Sequence, residues 1–208
     1  MWEFLASDVG KVALGGLIAI AGQIMVFVLG WAKESRVSEK KRELEAQHLG
    51  IRLVLVLEKL VGDCYSAVND QTYTDEQGFT RNAVPNPQFS LPQEGDYRAL
   101  PAELMYDVMS MPSRLDSVME GMSSCHEYAS PPDFEEYYSY RIESLSKLGL
   151  NAMALIESLC DKYKIPPPER AGYYEPEQAF RRYLAKTAEV DQMRAEQQAE
   201  THLTITSG

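Results

Sequence analysis

The sequence predicts an all-α protein, with a single N-terminal transmembrane helix followed by a helical bundle of about four helices. Three observations carry this expectation. Residues 12–31 form an uncharged apolar stretch, and apolar residues recur in steps of three and four through later segments. Prolines and polar clusters separate those segments, as they do at loops.

The stretch VALGGLIAIAGQIMVFVLGW at 12–31 has Gln23 as its only strongly polar side chain. A helix of ~20 mostly apolar residues is long enough to cross a bilayer. A cleaved secretory signal fits less well, because signals have a basic leader and an apolar core of ~7–15 residues. Here Glu3 and Asp8 precede a longer run. A buried soluble helix is a second rival, since Gly15, Gly16, Gly22 and Gly30 dilute the hydrophobicity and glycine is a poor soluble helix former. Membrane helices tolerate glycine well.

Lys and Arg are retained on the cytoplasmic side of a span. Lys11 stands alone before the stretch, whereas Lys33, Arg36, Lys40, Lys41 and Arg42 follow it. The expected arrangement is single-pass in a cell or inner membrane. Residues 1–11 make a short extracytoplasmic tail, and the C-terminal body is cytoplasmic. Within the span, Gly15, Ala19, Gly22, Val26 and Gly30 fall on one narrow arc of a helix, with Gln23 beside it. Small residues let helices approach closely in lipid, and a Gln can hydrogen-bond across the interface at ~1 kcal/mol. The span is expected to associate with itself or with another membrane protein, through Gly15, Ala19, Gly22, Gln23 and Gly30.

Residues 32–48 are a charged helical neck, in which a helix over 33–48 spans ~24 Å at 1.5 Å per residue. Its basic side chains could meet lipid headgroups, but the interleaved glutamates fit an ordinary solvated surface. Gly50 marks a place where this rod could bend.

Residues 49–195 are expected to be a cytoplasmic helical bundle. Its first helix places Leu49, Leu53, Val56, Leu60, Cys64 and Val68 on one face. The continuous apolar run at 53–57 could also be a strand, but charged residues flank it where turn residues would be expected. Residues 70–98 are rich in Asp, Asn, Gln, Gly and Pro and form a long loop. Such loops are often functional or disordered, so this one is either a contact surface or a connector tacked down by Phe79, Phe89, Leu91 and Tyr97.

Pro101 suits the first turn of the next helix. Leu104, Val108, Met111, Leu115, Val118 and Met122 then keep register through Pro112, which predicts one kinked helix rather than two. Five of the nine methionines fall here, as core filler or as an adaptable binding surface. Ser130, Pro131, Pro132 and Asp133 resemble a capping-box start. The helix they would open carries Tyr138, Ile142, Leu145, Leu148, Ala152, Leu155, Leu159 and Tyr163 on one face. It must stop at Pro166, Pro167 and Pro168, which favour an extended spacer. Pro176 opens a last helix with Phe180, Leu184 and Val190, and residues 196–208 are expected to form a mobile tail.

Charge is unevenly divided. Residues 1–45 hold six basic and six acidic side chains, which leaves 14 basic and 25 acidic residues beyond them and puts the whole net charge of −11 on the body. Nucleic acid is an unsuitable partner, because phosphate binding needs clustered Lys and Arg. Cys64, Cys125 and Cys160 are odd in number and widely spaced, so no disulfide framework is implied.

No catalytic, metal or cofactor motif is present. The histidines His48, His126 and His202 lack zinc-site spacing. Cys125, His126 and Glu127 are adjacent, but nucleophile pairs are built by spatial rather than sequential proximity. The expected function is therefore that of a membrane-anchored interaction protein, a tether, adaptor or regulatory subunit, with no catalytic residues, cofactor or metal. A membrane-active or membrane-protective factor and an enzyme with a site inside the bundle are the alternative classes.

Overall fold

The computed structural model describes the backbone of residues 8–206. It describes the side chains of Gln23, Met25, Trp31, residues 34–190, Gln192, Met193 and Glu196. Four α-helices dominate these residues: α1 Asp8–Val68, α2 Ala102–Tyr128, α3 Glu135–Tyr163 and α4 Pro176–Thr206. A two-stranded antiparallel ribbon, β1 Tyr73–Thr74 and β2 Thr80–Arg81, sits in the α1–α2 connection, with Tyr73 opposite Arg81. The all-α bundle expected from periodicity is the observed class, and the chain divides into two compact units at Glu45 and Ala46. Among the described residues no helix is long and apolar enough to cross a membrane. Residues 12–31 lie in α1, but apart from Gln23, Met25 and Trp31 their side chains fall outside the described residues.

The C-terminal part of α1 supplies Leu49, Leu53, Leu57, Leu60, Val61 and Cys64 to the core, each at most 1 % exposed. Leu55, at 66 % exposed, faces out. That pattern is a helical stripe rather than the strand alternation the run could have adopted. Gly50 has a packing role. It lies inside α1, and a Cβ there would stand 3.0 Å from Ile165 Cδ1 and 3.2 Å from Tyr163 Cδ2. The missing side chain lets the end of α3 approach.

Pro101 is the N-cap of α2, with no side-chain capping bond. The helix runs unbroken past Pro112, with Val108, Met111, Leu115 and Met122 buried. Pro112 removes one backbone donor, but the three-and-four spacing keeps the same face inward on both sides. Of the five clustered methionines, Met105, Met111, Met119 and Met122 pack in or against core clusters, and only Met109 is exposed. Here methionine fills the core.

The capping box expected at Ser130 and Asp133 does not form. The N-cap of α3 is Phe134, in the left-handed conformation at φ 54°, ψ 43°, without a side-chain cap. Ser130 contributes its carbonyl instead, accepting from Phe134 N at 3.1 Å. Its hydroxyl lies five residues before the first helical residue, too far upstream to reach the second or third amide. Glu135 and Glu136 occupy the first turn, where carboxylates complement the helix dipole.

Leu145, Leu148, Ala152, Leu155 and Leu159 bury the predicted face of α3, and the helix ends at Tyr163 with left-handed Lys164 as its cap. The prolines follow at once. Phe180 of α4 is wholly buried, Leu184 and Val190 are half-buried, and α4 continues through residues 196–206 of the expected tail. A Cβ on Gly149 would overlap the Phe180 ring, so this glycine sets the spacing of α3 and α4. Gly149→Ala should therefore destabilise the chain by about 1–3 kcal/mol through overpacking. A lower denaturant midpoint with an unchanged slope is the expected signature, and an unchanged midpoint would refute the contact.

Candidate functional site

The most elaborate polar arrangement surrounds Arg141, on α3. Its side chain is 1 % exposed and that of Asp70, just after α1, is 2 % exposed; the two pair at 3.1 Å. Arg141 Nη1 also donates to Ala67 O at 2.8 Å, Nη2 to Val84 O at 2.9 Å, and Nε to Asn86 Oδ1 at 3.1 Å. Asp70 in turn accepts from Ala83 N at 3.1 Å and Val84 N at 3.2 Å. Both buried charges are thus paired and hydrogen-bonded, which their desolvation requires. One α3 guanidinium ties together the end of α1 and the middle of the long loop.

The rest of that loop is folded in the same way. Asp75 accepts from Gln77 N at 3.0 Å, Phe79 N at 2.9 Å and Arg81 Nε at 2.8 Å, closing the ribbon around Gly78 at φ 85°. The Arg81 hydrogen bond and the Phe79 amide hold the Asp75 carboxyl below its usual range. Val84, Phe89, Leu91 and Tyr97 pack against the core. The loop is thus tacked to the core at these four side chains, while residues 71–74 and 76–78 are exposed.

A second arrangement lies at the other end of α3. A cleft of about 400 Å³ is lined by Met153, Ile156, Cys160, Ile165 and Pro167, with Glu157, Asp161, Arg170 and Arg181 around them. Arg170 is clasped by Glu58 of α1 through two bonds of 2.8 and 2.7 Å. Arg181 pairs with Glu177 at 2.9 Å. Tyr174 flanks the clasp, edge-on to Tyr65 at 4.9 Å; burial first, and then Glu58, push its phenol up to about 12.

The residues singled out from sequence are not gathered into a site. Gly15, Ala19, Gly22, Gly30 and Lys33 fall outside the described side chains, and Gln23 is exposed. Arg36, Lys40, Lys41 and Arg42 are exposed along α1, with Lys41 3.8 Å from Glu45 in a solvated i,i+4 pair. His126 belongs to the last turn of α2, and its ring stacks on Phe134 at 5.2 Å. That ring packs against aromatic neighbours. Among the described residues no three His, Cys, Asp or Glu side chains converge on a metal position.

Sequence reasoning does not single out Arg141, although a signal is present. Arg141, Leu145, Leu148, Ala152, Leu155 and Leu159 form one series in steps of four and three, so a cation occupies a core register position. Its partners come from 55–74 residues away, and no local pattern names them. Comparison with protein-family models, curated proteins and solved structures finds no match to the chain.

Two outcomes follow from this geometry. Arg141→Met should lower stability by about 3–5 kcal/mol, because it leaves the buried Asp70 carboxylate without its cation. Adding Asp70→Asn should recover part of that loss in urea unfolding, and strict additivity of the two losses would exclude the pair. Burial, with Asp63 second, pushes the Cys64 thiol from 9.0 up to about 12. Since the thiol is buried neutral, its stabilising contribution is complete below pH 9 and declines as pH rises from 9 towards 12. Cys64→Ala should flatten the loss of stability across that window, as followed by thermal unfolding.

Proposed function

We propose that this chain is a single-pass membrane-anchored helical interaction protein, acting as a tether, adaptor or regulatory subunit through protein contacts. The observation that carries the reading is the uncharged apolar stretch at 12–31. An apolar segment of that length is stable across hydrocarbon. Lys33, Arg36, Lys40, Lys41 and Arg42 follow it, which favours a cytoplasmic body.

Surface recognition is the activity proposed for the bundle. Buried polar groups are spent on holding the loop and the connector to the helices. The net charge of −11 makes proteins with basic surfaces better partners than nucleic acid or anionic lipid. In the span, the arc of Gly15, Ala19, Gly22 and Gly30 beside Gln23 supports association between helices in the membrane.

The protein should resist carbonate extraction and be released by detergent. A C-terminal fusion should be active with a cytoplasmic reporter and silent with an extracytoplasmic one. Release by carbonate would overturn the anchor, and the opposite reporter pattern would overturn the orientation. Changing Gly15, Ala19 and Gly22 together to Leu should remove crosslinking through the span while leaving membrane insertion intact.

A further inference from the structure

We propose that the cleft bounded by α3, the proline connector and α4 docks a short amphipathic, cationic segment of a protein partner. This rests on the interaction-protein reading above and names the chemistry of the partner. Apolar side chains of that segment would seat on Met153, Ile156 and Ile165. A Lys or Arg one turn away would face Glu157 and Asp161.

The volume and the lining fit a few side chains. The cleft holds about 400 Å³, within the usual size of sites for small ligands. Ile156 and Ile165 are buried, and Met153 is half-exposed at the surface of the cleft, where its unbranched thioether can adapt to different apolar shapes. The walls are preformed. Left-handed Lys164 caps α3, three prolines restrict the connector, and Arg170 is fixed to Glu58. A site that is already ordered loses less entropy on binding.

Charge selects the occupant. The two arginines at the cleft are each held by a carboxylate, Arg170 by Glu58 and Arg181 by Glu177. Glu157 and Asp161 are exposed, stand one turn apart on α3, and have no ion-pair partner among the described residues. They also lie in the last two turns of the helix, where the dipole presents its negative end. The uncompensated charge at the cleft is therefore negative. An anionic ligand would compete with carboxylates already paired to both arginines, whereas a cation meets two carboxylates without an ion-pair partner among the described residues.

Three fluorescent ten-residue peptides with identical leucine spacing, and Lys, Gln or Glu at the polar positions, test this. Anisotropy is read against the full chain in zwitterionic lipid nanodiscs, after subtracting binding to empty nanodiscs. The Lys peptide should bind at least about tenfold more tightly than the Gln peptide at low salt, with the difference shrinking as salt screens it. The Glu peptide should be the weakest. Glu157→Lys with Asp161→Lys should invert the order, and Met153→Glu should weaken all three peptides. Both charge reversals are at exposed positions, and an unchanged circular dichroism spectrum confirms the fold. Equal affinity of the Lys peptide for the original chain and the doubly reversed chain would overturn the cleft. Charge-selective peptide binding by a chain that resists crosslinking to any protein would support the cleft and sink the tether.

Discussion

The buried pair of Asp70 and Arg141 fixes the middle of the long α1–α2 loop to two helices. Taking either charge out of water costs several kcal/mol, and attraction offsets that only when the remaining hydrogen-bonding capacity is also used. Here it is used. The guanidinium donates to Ala67 O, Asp70, Val84 O and Asn86, and the carboxylate also accepts two loop amides. The loop has few large apolar groups with which to fix itself, so directional bonds to one immobile cation set its path. Val84, Phe89 and Leu91 then fall against the core as a consequence of that placement.

Polar clasps recur at the opposite end of α3, where they shape rather than cover. Gln47 donates to Tyr163 O at 3.1 Å, and Glu58 holds Arg170. Gly50 allows Ile165 and Tyr163 to lie directly on α1. Because the connector is held to α1, it stands away from the outer side of α3, and the space between becomes the cleft. The glycine at 149 acts in the other direction, drawing α4 inward around Phe180. Close approach on one side and a clasp on the other leave a groove between them.

How much of this was legible in the sequence depends on how local the cause is. The α2 register survives Pro112 because side-chain spacing determines the buried face, and spacing is visible in one dimension. The start of α3 was not legible, since Ser130 and Asp133 have the composition of a cap while the capping geometry belongs to Phe134. Gly50 looked like a hinge because glycine weakens a helix, but the reason for it lies at Tyr163 and Ile165, more than a hundred residues on. Arg141 interrupts a leucine series, which is a readable anomaly; its meaning needed the loop. The cleft was least legible, because its floor and rim come from three segments and its charge depends on which arginines are already engaged.

That last dependence explains how the charge balance acts. Arg52, Arg81, Arg98, Arg114, Arg141, Arg170 and Arg181 each lie within 4.0 Å of a carboxylate, at Glu94, Asp75, Asp96, Asp107, Asp70, Glu58 and Glu177 respectively. The exposed pairs among them contribute little to stability. They do, however, occupy arginines that would otherwise face a ligand. With acidic residues in excess beyond residue 45, pairing the arginines leaves carboxylates as the uncompensated groups. A negative surface potential raises the local concentration of cationic partners and speeds their encounter. Seven arginines thus lie beside carboxylates of the body, while acidic side chains such as Glu157 and Asp161 face out, so the excess of acidic groups decides what kind of surface the bundle offers.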